Sequence, residues 1–383
     1  MRSLDDIRVL DFGQHLAGPF APMILGDLGA DVIKVEPVMG DAMRLAGKPF
    51  FGCQRGKRDI AINLKTDEGR ALVLELVKTA DVVHHNMTVG VATRLGIDYE
   101  ACKAVKPDII YCNTYAYGLE GPLAHFGGLD PLYQASGGIE FESGGVIHGN
   151  TPLYYRFGMC DASNAMLSVI GVLMALYHRD RTGEGQEPWT SLLDGSVLFT
   201  SDVVLVDGQP IDHPHVDAEL HGLGARYRLY RCQDQEWVQL AAVTDAQWAK
   251  ACDVLELPAD ASEDACVARF AEKTSQQWQR RFDEAGVPSE IPRDTLAGEA
   301  FLTDADNVAL GLVAEYVHPT MGRMRQFGDV ISLSDTPGEP QGPPPLVGEH
   351  TRELLEELGK SEADIAALYE AGVVCDPPPD RPF

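Results

Sequence analysis

Five short apolar runs, at residues 7–12, 31–36, 60–64, 81–86 and 107–113, alternate with stretches of helical period, and this alternation restricts the fold more than any other feature. Strands that take turns with helices pair in parallel, because the helix carries the chain back to the same end of the sheet. The order strand 7–12, helix 20–28, strand 31–36 is how a doubly wound sheet begins. An amphipathic helix at 65–77 continues it. The first turn, residues 13–19, does not read G-x-G-x-x-G, so no dinucleotide site is expected. Ligands of such sheets bind in loops at the carboxyl ends of the strands. Gln14 and His15 follow the first strand, and His15 is a candidate site residue there as well as a candidate structural polar group.

A second constraint is the stretch from Cys160 to Gln186. Asp161 stands at the head of a long apolar run (Met166, Leu167, Val169, Ile170, Val172, Leu173, Met174, Leu176, Tyr177) that is apolar on almost every face, which predicts a buried helix. Arg179 and Arg181 in its last turn, with Gly183 and Gly185 beyond, are stop signals. Two readings of Asp161 stay open on spacing alone. One is a capping or first-turn acid; the other is a carboxylate tuned by burial and backbone N–H groups to act as nucleophile or base.

Composition narrows the function classes. With 58 acidic and 31 basic residues the net charge is −27, which disfavours nucleic-acid and anionic-membrane partners. Ser168, Gly171 and His178 interrupt the apolar helix before it reaches the ~18 uninterrupted residues of a membrane span, and the N-terminus lacks a signal-peptide apolar region. The eight cysteines form no C-x-x-C pair, so neither a zinc site nor a disulfide framework is expected, and a cytoplasmic, reducing location is. Cys160 reads as a small packing residue. At 383 residues the chain has room for two domains. The expected organisation is a large α/β domain over 1–200, a linker at 201–220, a smaller α+β domain over 221–325, and a return segment at 326–383 that completes the first domain.

The stretch Leu176-Tyr177-His178-Arg179-Asp180-Arg181-Thr182-Gly183-Glu184-Gly185-Gln186 resembles L-Y-x-R-x-x-T-G-x-G-Q, the core signature of the class III CoA-transferase family. That family includes formyl-CoA and carnitine CoA-transferases and the α-methylacyl-CoA racemases. The likeness extends to Ala17-Gly18-Pro19, to Leu28 through Glu36, to Lys57-Arg58, and to Asn86 through Gly96, where Met87 and Val89 stand in place of an aromatic and a proline. It resumes at Gly127 through Gly138, at Gly286-Val287-Pro288 and around His350, so it covers nearly the whole chain. Three departures accompany it. Leu16 occupies the place of the glutamine that precedes A-G-P in formyl-CoA transferase-like members, with His15 and Gln14 just upstream. Leu129 occupies the place of the racemases' histidine, half of an acid-base pair. The glycine-rich loop of formyl-CoA transferases is replaced by a shorter segment around His221 to Tyr227.

The resemblance implies that Asp161 is the catalytic carboxylate, with Gln14 and His15 as accessory candidates, and that Lys65, Asn86, Met87 and Arg94 lie along a CoA site. Cationic side chains there suit the phosphates of CoA. It implies a large Rossmann-like domain with a smaller α+β domain, in an interlocked homodimer, acting on an acyl-CoA and a small carboxylic acid. CoA is then substrate and product; no permanently bound cofactor or metal is expected. The expected reaction is CoA transfer through an aspartyl anhydride and an aspartyl-CoA thioester, with backbone N–H groups at the helix start stabilising the oxyanions. The alternative is an α-methylacyl-CoA racemase or an intramolecular CoA-ester isomerase; Leu129 cannot move a proton, which counts against a two-base racemase. His125, four residues from Leu129, is the remaining candidate for that proton, and His350 reads as a structural loop residue.

Overall fold

The computed structural model describes residues 2–46, 48–295 and 298–377. Six strands, β1 (Arg8–Asp11), β2 (Asp31–Glu36), β3 (Arg58–Ile62), β4 (Val82–His85), β5 (Ile110–Tyr115) and β6 (Trp189–Ser191), form one sheet with a C-terminal strand, Val374–Cys375. The order is Val374–Cys375, β3, β2, β1, β4, β5, β6. Neighbours among β1 to β6 are parallel, and only Val374–Cys375 runs antiparallel, against β3. From β1 the chain builds outward to β2 and β3, then returns to β4 on the other side. The boundary between β1 and β4 is therefore the point where the winding reverses.

Strand periodicity accounts for the two faces. Leu10, Phe12, Ile33, Val35, Ile60 and Ile62 point to one side and pack with Leu72, Val73, Leu76 and Val77 of α2 (Asp67–Lys78). Val9, Val32, Val82, Ile110 and Cys112 point to the other, against α1 (Ala17–Asp27) and α3 (Met159–Thr182). Buried on both sides, the strands read as nearly continuous apolar runs, as parallel sheets require. Thr66 caps α2 by accepting a hydrogen bond from the Gly69 N–H, with Asp67 and Glu68 in the first turn.

The chain divides into two compact units. The larger comprises residues 1–133, 157–199 and 301–383 and contains this sheet; the smaller comprises 134–156 and 200–300. The expectation placed 221–325 together. In the structure the hairpin Val313–His318/Gly322–Phe327 groups with the larger unit, where Phe327 packs edge-on to Phe20 and lies under the Arg55 guanidinium. Within the smaller unit, Tyr227–Arg231, Trp237–Ala241 and Ser289–Glu290 form an antiparallel sheet. Helices Asp245–Leu255, Glu263–Phe270 and Ser275–Ala285 supply Trp248, Phe270, Trp278 and Phe282 to its core. The segment read as a linker carries a short antiparallel pair, Leu205–Val206 with Gln209–Pro210.

Helix α3 departs from expectation. Its apolar length satisfies the composition of a membrane span, but Ala165, Val169, Val172, Ala175 and Leu176 pack against the sheet. It is buried on one face only: Ile170, Met174 and Tyr177, spaced four and three apart on the opposite face, are 58%, 62% and 59% exposed. A helix lying on one sheet can bury one stripe, and the second apolar stripe faces outward.

The loop after β1 is fixed by ion pairs that reach it from neighbouring strands. Lys57 donates to Asp11 at 2.7 Å with neither side chain exposed, and Asp11 in turn accepts the Gly13 N–H at 2.7 Å. Lys34, paired with Asp41 at 3.0 Å, donates to the Gly13 carbonyl at 3.0 Å. Arg58 is likewise committed, to Asp31, Glu353 and Glu357. His350 holds the return segment to β3: its N–H donates to the Asp59 carbonyl and its Nδ1 accepts the Asp59 N–H, which is the structural role expected of it. Removing one partner of a buried pair leaves the other charge uncompensated. Lys57→Met is expected to lower unfolding free energy by about 3–5 kcal/mol, read as a fall in the urea midpoint at neutral pH; an unchanged midpoint would show that Asp11 needs no counter-charge.

Candidate active site

The carboxyl ends of β1 to β5 converge on a cavity of ≈ 630 Å³. Its walls include Gln14 and His15 after β1, Val38 and Met39 after β2, Lys65 after β3, Asn86 and Met87 after β4, and Leu129. This is the switch point of the winding, where open α/β sheets bind ligands. Of the residues assigned by resemblance, the fold thus brings Gln14, His15, Lys65, Asn86 and Met87 around one cavity.

Asn86 closes the gap between the β1 and β4 loops. Its Oδ1 accepts the Gln14 N–H at 2.9 Å and its Nδ2 donates to the Gln14 carbonyl at 2.8 Å, so the amide pins Gln14's backbone while lining the cavity. A Cβ on Gly18 would lie 2.7 Å from Asn86 Cγ, which accounts for the glycine of the A-G-P turn. His15 is exposed and adopts φ +62°, a left-handed conformation uncommon for a side-chain-bearing residue. Lys65 is exposed on the wall with no ion pair among the described residues. Arg94 lies outside the cavity wall, in the turn Val91–Leu95, with its guanidinium beside Gly90 and no ion pair among the described residues. Lys65 and Arg94 therefore remain available to an anion, whereas Lys57 and Arg58 are not.

Asp161 lies in the first turn of α3, whose N-cap is Gly158 with no side-chain cap, so of the two structural positions it holds the first-turn one and not the cap. Its N–H donates to Asp130 Oδ2 at 2.9 Å. Among the described residues no group hydrogen-bonds to the Asp161 carboxylate. Burial, with the like charge of Asp130 adding to it, pushes the carboxyl up to about 7. A helix N-terminus favours a carboxylate, but here desolvation outweighs it. The carboxyl sits next to the loop after β1, because a Cβ on Gly158 would meet both Leu16 Cδ2 at 2.8 Å and Asp161 Oδ2 at 3.2 Å. Gly195 seats the helix start from the other side: a Cβ there would lie 2.8 Å from the Cys160 carbonyl.

The expected oxyanion donors are largely engaged. The Met159 N–H donates to Phe157 and the Ala162 N–H to Gly158, besides the Asp161 N–H held by Asp130. Cys160 is buried and its thiol is pushed up to about 12 by burial, with Asp130 and Asp161 adding, so it is no nucleophile at neutral pH. Leu129 is 60% exposed on the cavity wall, and His125, exposed, is not among the lining residues.

Sequence reasoning passed over Asp130, whose carboxylate faces the start of α3 from 31 residues upstream. The signal was present in Gly127-Gly128-Leu129-Asp130, but nothing in it shows which backbone group Asp130 meets. It also passed over His84 and His85 of β4, which burial lowers to about 4 and about 3, so both buried rings stay neutral.

A carboxyl that keeps its proton in the folded state up to about pH 7, but only to about 4 when unfolded, contributes stability that is complete below pH 4 and lost as pH rises through 7. Asparagine does not titrate. The stability advantage of Asp161→Asn over wild type is therefore expected to be about 2 kcal/mol larger at pH 8 than at pH 5.5, by denaturant unfolding. Equal differences at the two pH values would mean that the carboxyl is not held protonated.

The comparisons with known proteins agree with this architecture. The family model described as CoA-transferase family III matches residues 4–351. The chain is 32% identical to succinyl-CoA:glutarate CoA-transferase of Mus musculus, covering 98% of this chain and 91% of that protein. It is 33% identical to succinyl-CoA:mesaconate CoA-transferase of Haloarcula marismortui, covering 94% and 97%. Among solved structures, a CAIB/BAIF family protein from Brucella suis superposes with TM-score 0.77 at 28% identity, covering 93% of this chain and 99% of that one.

Proposed function

The chain belongs to CoA-transferase family III, and on that premise we propose that it moves CoA from an acyl-CoA to a free carboxylic acid through covalent intermediates on Asp161. The observation that carries the proposal is the Asp161 carboxyl itself, half-buried at a helix start next to the loop after β1 and raised to about 7 by desolvation. A poorly solvated, more basic carboxylate is a better nucleophile than an exposed one, and it remains a competent leaving group.

The ionised Asp161 attacks the thioester carbonyl of the donor, and CoA leaves as thiolate, giving a mixed aspartyl anhydride. The thiolate then attacks the aspartyl carbonyl and expels the donor acid, leaving an aspartyl-CoA thioester. The acceptor carboxylate attacks that thioester, and the released thiolate takes the acceptor's acyl group, restoring Asp161. Lys65 on the cavity wall, with Arg94 nearby, supplies positive charge for the phosphates of CoA in a chain of net charge −27. Asn86 acts by holding Gln14, and Met87 gives an apolar wall. The named relatives act on succinyl-CoA, which makes it the first donor to test.

Asp161→Asn is expected to abolish formation of new CoA esters from succinyl-CoA and a panel of acids while leaving the circular dichroism spectrum unchanged. In wild type, hydroxylamine added during turnover should convert Asp161 to its hydroxamate, located by peptide mass spectrometry. Transfer by a folded Asn variant would sink the mechanism. The acid limb of kcat/KM should lie near pH 7 and move lower in Asp130→Asn, since a like charge is removed. The racemase alternative predicts deuterium in a 2-methylacyl-CoA incubated in D2O without new esters; Leu129 on the wall, in place of an acid-base histidine, favours its absence.

The outward apolar stripe Ile170, Met174 and Tyr177 supports a homodimer as its cover. Light scattering should give twice 41.6 kDa for wild type and a smaller mass for Met174→Glu; a wild-type monomer at micromolar concentration rules the dimer out. No disulfide joins the cysteines among the described residues, which is compatible with the reducing, cytoplasmic location we propose.

A further inference from the structure

Within the smaller unit, two stretches far apart in sequence place three ligand atoms together. Glu142 lies in the short helix Ile139–Ser143, and His213 and His215 lie on the segment that runs into Asp217. One carboxylate oxygen and two ring nitrogens from these residues all fall within 4.8 Å of one another. Glu142 Oε2 is 3.1 Å from His215 Nδ1 and 3.7 Å from His213 Nε2, and the imidazole centroids are 4.3 Å apart.

His213 Nδ1 lies 3.4 Å from the Ile211 carbonyl, which can only accept, so Nδ1 carries the hydrogen. In the neutral ring Nε2 then presents a lone pair, and it faces the carboxylate oxygen of Glu142, a second acceptor, with no hydrogen-bond partner of its own. The unpartnered nitrogen and the carboxylate oxygen, 3.7 Å apart, are both atoms able to ligate a cation. A ligating histidine that donates its other ring N–H to a backbone carbonyl is the usual arrangement around a metal.

We propose that Glu142, His213 and His215 form a binding site for a divalent cation of the zinc class, with water completing the shell. Bond lengths of about 2.0–2.1 Å at tetrahedral angles put ligand atoms about 3.3 Å apart, and the two distances from Glu142 bracket that value. Two imidazoles and one carboxylate are ligands that zinc accepts, and three protein ligands leave one open position.

The scaffold is rigid enough to keep the set together. Pro214, between the two histidines, fixes its own φ and disfavours the helical region at His213. His148 Nε2 donates to the Val216 carbonyl at 2.9 Å and Asn150 to the Ala218 carbonyl at 2.8 Å, so the stretch after Glu142 is tied to the stretch after His215. Gly145, at φ +62°, would meet Leu220 Cδ2 at 2.9 Å if it carried a Cβ. A cation here cross-links the two stretches within the unit. This site is separate from Asp161 and stands whether or not the transferase chemistry does.

The test uses tag-free, full-length protein freed of metal with a chelator, then incubated with zinc chloride and desalted. Wild type should retain about one zinc per chain by plasma mass spectrometry, and His213→Gln and His215→Gln should each bind at least about tenfold more weakly, with Glu142→Gln weakened in the same direction. Cobalt(II) added to the chelator-treated wild type should give the intense visible absorption of a four-coordinate imidazole site, lost on adding one equivalent of zinc. The unfolding midpoints of the chelator-treated variants serve as the folding check. Zinc retention equal to that of a His213→Gln/His215→Gln double variant, or a cobalt spectrum unchanged from the hydrated ion, overturns the proposal.

Discussion

The buried pair between Lys57 and Asp11 is the interaction on which the rest of the larger unit depends. A charge placed under a sheet is costly, and only another charge with satisfied hydrogen bonds offsets that cost. Lys57 has both: the Asp11 carboxylate, the Pro19 carbonyl and the Gln54 amide oxygen take its hydrogens at 2.7–2.8 Å. Asp11 passes the constraint to the Gly13 N–H while Lys34 takes the Gly13 carbonyl. The loop after β1 is therefore held at both ends of one residue, Gly13, and Asn86 then fixes Gln14 from the next strand. With that loop in place, the carboxyl ends of the strands enclose a cavity rather than an open edge.

The same economy explains which cations are left for a ligand. Four basic groups near the sheet, Lys34, Lys57, Arg55 and Arg44, are consumed by Asp41, Asp11, Asp27 and Glu36. An acidic chain thus neutralises its own interior with most of the cations close to the site, whereas Lys65 on the cavity wall and Arg94 outside it make no ion pair among the described residues. Asp161 shows the opposite treatment. It is given no cation; burial and the neighbouring Asp130 both disfavour its charge. The cations that hold the loop are taken up in pairs of their own, and among the described residues none is paired with the Asp161 carboxyl.

Much of the architecture was legible in the chain. The strand at 31–36 and the helix at 275–285 fall where their patterns put them, because each is delimited by its own residues: an apolar run, or a threonine box and a glycine stop. Asp161 at the head of a long apolar helix was equally plain, as local order alone places an acid before that run. The even apolar character of that helix misled in one respect, since composition does not reveal that a single sheet covers a single stripe.

Sequence by itself determined the alternation of strands and helices, the parallel sheet that follows from it, and the position of Asp161 at a helix start. Tertiary structure alone decided that Lys57 is a structural counter-charge, that Asp130 faces the Asp161 N–H, that the Asp161 carboxyl is desolvated to about 7, and that Glu142 meets His213 and His215. The physical reason is one of range. Propensity, periodicity and capping act between residues a few positions apart, whereas a pKa or a ligand set depends on charges and lone pairs brought together across tens of residues by the packing of the chain.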